Sequence, residues 1–189
     1  MAYAITHFFT SVFLAVLLKS KFSEIKKYIH VKELFIIGLF GILPDIDVFP
    51  FIINSYLNLG WSNIHRLITH NLTIATAIFL IGLFLYFKNK PELRISQLGP
   101  ANKSSLGKWG LIFMLGGIGW SSHLFLDWLL SGTITPFYPF SNFETGINII
   151  PENNLRLGSY VLGGIDAAVL LTWSWFAILK ETLKDFQVW

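Results

Sequence analysis

The chain has no cysteine among its 189 residues, which excludes a disulfide framework and any thiolate-bound metal. A metal on this chain must be held by His, Asp or Glu, donors that suit zinc- or manganese-type ions. Charge is also scarce. Asp, Glu, Lys and Arg make up 13% of the residues, about half of the roughly 25% usual in soluble domains. So thin a polar covering argues against an ordinary soluble domain. The opening stretch MAYAITHFFTSVFLAVLL lacks the basic leader and small-residue cleavage site of a removable signal peptide, so it reads as a retained first span.

What the chain does contain is apolar. Hydrophobic residues make up 53% and aromatics 16%, with 18 Phe and 7 Trp, and the mean hydropathy is +0.59. Apolar stretches run over 2–18, 33–53, 72–87, 109–130 and 158–179, each near the ~20 residues that cross a bilayer core. The expected fold is an all-α, polytopic membrane helical bundle, one membrane-embedded domain over residues 1–189. About five spans are expected, four to five because 72–87 is short. Pro44 interrupts the second stretch and disfavours helical geometry at Leu43, so a break or kink is expected there.

Basic residues orient the spans. Loops 19–32 and 88–108 together with the C-terminal tail hold 12 of the 14 Lys and Arg; only Arg66 and Arg156 fall in the alternate loops. This predicts basic loops inside and the N-terminus outside. The net charge of +3 is then topological, and no nucleic-acid partner is expected; the partner is the lipid bilayer.

On that map the reactive side chains converge. His7, Asp45, Asp47, His65, His70, His123, Asp127 and Asp166 all fall toward the outer level, while His30 and Asp185 lie on the basic side. An isolated ionised carboxylate in hydrocarbon is costly, so acids placed in spans need a partner, and a cation is the natural one. His123 and Asp127 in HLFLD are spaced i, i+4, on one helix face, where both can bind one ion. His65 and His70 are five apart, so on a helix they diverge and one alone is expected to ligate. In PDID, Asp45 and Asp47 need not point the same way either. One can bind the metal while the other orients a ligating imidazole through its second N–H. Asp166 is expected to pair with Arg156 or a Trp N–H. The inner halves of the spans are nearly bare of polar residues, which argues against an ion-conducting path.

The segments MAYAITHFFTSV, GILPDIDVF, HRLITHN and HLFLDWLLSGTITPFYPFS occur in an order that resembles the YdjM-like family of inner-membrane metal-dependent hydrolases, over about residues 1–179. The family pattern maps onto His7, Asp45, Asp47, His65, Arg66, His70, His123, Asp127 and the run Pro139, Phe140 and Ser141. Leu67 and Asn71 depart from the usual Gly and Ser. The order of ligands is more distantly similar to zinc-dependent phospholipase C and P1-type nucleases. That similarity implies one metal site of Asp45, His70 (or His65), His123 and Asp127, with His7 reaching a second ion bridged by Asp127. No histidine follows His123 here, so one or two ions are expected, zinc first and manganese second.

The resulting expectation is a metal-dependent, phosphoesterase-like hydrolase of the prokaryotic plasma (inner) membrane, acting at the outer face on a phospholipid or lipid-linked phosphoester. Metal ligands are His7, Asp45, His70, His123 and Asp127; Asp47 or His65 is the general base, and Arg66 holds a phosphate oxygen. The rival is a non-catalytic membrane protein with a structural metal site or an interaction role.

Overall fold

The computed structural model describes residues 4–57, 69–88, 103–130, 132–150 and 155–179. Among these the chain is a bundle of helices. In order they are α1 (Ala4–Lys21), α2 (Ser23–Tyr28), α3 (Val31–Ile42), a 3₁₀ segment (Leu43–Asp47), α4 (Val48–Leu57), α5 (Leu72–Lys88), α6 (Lys103–Leu130) and α7 (Leu155–Leu179). Four stretches, Ala4–Lys21, Val31–Asn54, Leu106–Leu130 and Arg156–Trp175, are long and apolar enough to cross a membrane, and Leu72–Lys88 is a shorter apolar helix. The expected all-α polytopic architecture is therefore found: four of the expected spans have the length to cross, and the fifth, Leu72–Lys88, is the short one.

The break at Pro44 takes a specific form. Proline has no N–H to donate, and the chain tightens into 3₁₀ geometry over Leu43–Asp47 before α4 resumes. The tight turn puts Asp45 and Asp47 at the end of α3 rather than on a continuous helical stripe.

Small residues let the helices approach. α1 packs on α3, α3 on α6 and α5 on α6. A Cβ on Gly41 of α3 would lie 2.6 Å from the His7 carbonyl oxygen, and one on Gly117 of α6 would lie 2.9 Å from the Ala75 carbonyl oxygen. Such contacts hold apolar helices together where no hydrophobic force acts between them in lipid. Val12, Ala15, Ile29, Leu34, Ile37 and Ile112 form the main buried cluster. Large apolar side chains such as Phe13, Phe35, Phe84 and Trp175 are left exposed on the outside of the bundle, where hydrocarbon solvates them.

Two polar ties fix the bundle's ends. At the basic end, Lys108 of α6 pairs with Glu33 of α3 at 2.5 Å, and Glu33 is 8% exposed in that pair. Glu33 also accepts from the His30 backbone N–H in a capping box. At the other end, Asp166 of α7 accepts from both the backbone N–H and the hydroxyl of Thr6 in α1. The expected partner for Asp166 is Arg156 or an indole; instead it accepts from one open N–H of α1's first turn, that of Thr6, and from the same residue's hydroxyl.

Beyond α6, residues 132–150 fold back on the helix end. Gly132 carries φ 126°, a conformation that favours glycine, and lets the chain reverse. Ile147, Ile149 and Ile150 donate to the carbonyls of Trp128, Leu129 and Leu130 at 2.7, 3.1 and 2.9 Å, closing the last turn of α6. A single antiparallel bridge, Ile134 with Thr145, ties the segment to itself.

Candidate metal centre

Four separate pieces of chain meet at the end of the bundle away from Lys108. α1 contributes His7, the 3₁₀ segment Asp45 and Asp47, the bend before α5 His70, and α6 His123 with Asp127. His7, His70 and His123 are completely buried and Asp127 is 1% exposed. Asp45 is the outlier, with its side chain 19% exposed, so the cluster is least covered on the Asp45 side.

One ligand atom from each of Asp45, His70, His123 and Asp127 lies within 4.8 Å of the other three. The Nε2 atoms of His70 and His123 are 3.3 Å apart. Asp45 Oδ1 is 3.5 Å from each of them, and Asp127 Oδ2 lies 3.4 Å from His70 and 3.7 Å from His123. His123 and Asp127 do share a face of α6, as their spacing requires.

The second ring nitrogens are already engaged. His123 Nδ1 lies 2.8 Å from the Gly41 carbonyl oxygen, to which its N–H donates, so a neutral ring presents an Nε2 lone pair to the cluster. His70 Nδ1 is 3.4 Å from Asp47 Oδ2 and 3.1 Å from Thr69 Oγ1, whose hydroxyl in turn donates to Asp47 at 2.8 Å. The two acids of PDID thus straddle one imidazole, Asp45 on its Nε2 side and Asp47 on its Nδ1 side. Burial pulls His70 toward neutrality, but the Asp127, Asp45 and Asp47 carboxylates outweigh it and hold its pKa up to about 10.

His7 stacks on His123 with ring centroids 3.7 Å apart and places Nε2 3.4 Å from Asp127 Oδ1. Neither ring nitrogen of His7 has a hydrogen-bond partner among the described residues, nor do Asp45 Oδ1 and both carboxylate oxygens of Asp127. Buried polar atoms without partners cost about 1–3 kcal/mol each, so five gathered in one place fit a bound cation. The donor set and these orphaned atoms together make this cluster a candidate metal site.

The model of the YdjM inner membrane protein family matches residues 1–182. The chain belongs to that family. No curated protein and no solved structure matches it. This YdjM-family chain is therefore an inner-membrane protein, and its helices able to cross a bilayer agree. His65 and Arg66, expected in the site, lie outside the described residues. Two participants were missed in the sequence. Thr69 sits next to a histidine and gave a weak signal; the Gly41 carbonyl, a backbone atom, gave none.

Proposed function

We propose that this YdjM-family protein is a membrane-embedded, zinc-dependent hydrolase of a phospholipid or lipid-linked phosphoester, with its site at the outer face. The observation that carries the metal is the spacing of the four ligand atoms. Charge-assisted hydrogen bonds draw N and O to about 2.7–2.9 Å, yet five of the six separations here are 3.3–3.7 Å. A tetrahedral zinc with ligands at 2.0–2.1 Å sets its donors about 3.3–3.4 Å apart. Octahedral magnesium would set adjacent donors nearer to about 2.9 Å. Two imidazoles and two carboxylates are ordinary zinc donors.

The support for hydrolysis is the polar surplus beyond those four ligands. His7 Nε2 faces Asp127 Oδ1 at 3.4 Å, and neither ring nitrogen of His7 has a hydrogen-bond partner among the described residues, which leaves the imidazole available to a second ion or as a proton acceptor. When bound, the metal lowers the pKa of water toward ~7 and polarises a phosphoryl oxygen. The chain's own residues do the rest. Asp47 orients His70 through Nδ1, His65 takes a proton, and Arg66 holds a phosphate oxygen bidentately. The exposed side of Asp45 is where a headgroup approaches.

The rival reading is a structural metal site without turnover, favoured by the near-complete burial of His70, His123 and Asp127 and by a full set of four protein ligands. Elemental analysis of detergent-purified protein beside Asp127→Ala comes first, followed by phospholipid and phosphodiester hydrolysis with and without chelator. Stoichiometric zinc with chelator-sensitive hydrolysis supports the enzyme. Zinc without turnover of any phosphoester supports the structural site, and no metal after re-addition overturns both.

A further inference from the structure

The segment after α6 has a surface that neither the spans nor the metal centre uses. We propose that residues 137–149 form an interfacial anchor, lying in the boundary between headgroups and acyl chains of the leaflet nearest the metal centre.

Length places it there. Lys108 and Leu130 are 22 residues apart on one helix, about 33 Å of rise, against ~30 Å of hydrocarbon. With Lys108 at one interface, α6 emerges at the other just before residue 132. The segment's exposed apolar side chains are large: Phe137 is 55% exposed, Phe140 84% and Phe143 59%, with Ile147 and Ile149 at 52% and 60%. Its charge is almost nil, for Glu144 is the one acid or base between residues 132 and 150. A water-exposed loop of this composition would be an aggregation hazard.

The backbone is also prepared for a poorly hydrated place, where unpaired N–H and C=O groups are costly. Tyr138 donates to the Thr135 carbonyl at 3.2 Å, and Phe140 and Ser141 donate to the Phe137 carbonyl at 2.8 and 3.0 Å. Ile147 and Ile149 are spent on α6. The Pro136 and Tyr138 carbonyls accept from the Leu72 N–H and the Thr73 hydroxyl at 3.0 and 2.9 Å. Polar Ser141 and Asn142 sit between Phe140 and Phe143, and Glu144 follows them, the mixture expected at a headgroup level rather than in the hydrocarbon centre.

The anchor is coupled to the metal cluster at both attachments. Trp128 follows Asp127 directly, and Leu72 lies two residues after His70. The depth of the anchor therefore sets the depth of the ligands: Asp127 and His123 lie 3 and 7 residues before Leu130, about 4–11 Å further in along the helix.

The cysteine-free chain makes the test clean. Phe140→Cys and Phe143→Cys, each carrying a nitroxide label, are reconstituted into phosphatidylcholine–phosphatidylglycerol vesicles. Collisions with oxygen and with a water-soluble nickel chelate are read by electron paramagnetic resonance power saturation. Labels at Leu80→Cys, exposed and eight residues from either end of α5, and at Lys26→Cys on α2 give the deep and aqueous references. The expected result is oxygen in excess over nickel at 140 and 143, with depths between the two references. A nickel-dominated label like that at residue 26 overturns the proposal in favour of an aqueous loop. Low collision with both reagents overturns it in favour of contact with a second copy or another protein. Either folded variant suffices for the decision.

Discussion

Asp47→Asn probes the metal centre without touching a ligand atom. Asp47 Oδ2 lies 3.4 Å from His70 Nδ1 and accepts the Thr69 hydroxyl at 2.8 Å, so in the proposed metal site the carboxylate would fix the ring's tautomer and raise its basicity toward the ion. Asparagine keeps the size and can keep an oxygen acceptor, but it loses the charge and can present an N–H₂ to the ring instead. Removing a partner of this kind costs 10–100-fold in metal affinity, or about 1.4–2.7 kcal/mol. The measurement is competition for zinc against a chromophoric chelator in detergent, with helicity by circular dichroism as the folding control. One ion per chain should still bind, 10–100-fold more weakly. Affinity within twofold of the parent would refute an orienting role for Asp47. Complete loss of the ion would show instead that Asp47 is itself a ligand.

Asp127→Ala removes an oxygen from the four-ligand set and the group facing His7, and is expected to abolish stoichiometric metal with helix content retained; an unchanged metal content would sink the site. Metal uptake should release a proton from His70, whose pKa in the metal-free site is about 10. Apparent affinity should then rise about tenfold per pH unit from neutrality and level off above that pKa, because the proton competes below it; a flat profile between pH 6 and 9 would refute this. Asp166→Ala leaves the buried N–H and hydroxyl of Thr6 unpaired, a cost of about 1–3 kcal/mol, to be read in the denaturation midpoint in mixed micelles; an unshifted midpoint would show that the tie is idle. Gly41→Val drives a side chain against Ser11 and the His7 carbonyl, so α1 must separate from α3. About 1–3 kcal/mol of destabilisation is expected, together with weakened zinc binding, since the same residue's carbonyl holds His123.

Local composition and spacing were enough for much of this molecule. A chain with 13% charge and apolar runs near the thickness of a bilayer has to be helical, because only a helix satisfies its own backbone in hydrocarbon. Pro44 marks a break for an equally local reason, since the missing N–H belongs to that residue alone. The pairing of His123 with Asp127 follows from 3.6 residues per turn, and the metal-ligating residue types follow from the absence of cysteine. What spacing cannot convey is how separate helices are rotated and offset against one another. His7 and Asp127 are 120 residues apart in sequence and 3.4 Å apart in space, and no periodicity encodes that contact. The same limit explains why spacing alone does not say which of Asp45 and Asp47 faces the cluster, the assignment of Asp45 resting on the family resemblance, and why Asp166 is expected from sequence to meet a cation or an indole. It also hid the Glu33–Lys108 tie and the Gly41 carbonyl behind His123. Each of these was decided by how one element packs on another, which sets helix rotation to within a side chain and so determines which nitrogen meets which oxygen; at Gly41, whose Cβ would lie 2.6 Å from the His7 carbonyl oxygen, the approach needs a glycine.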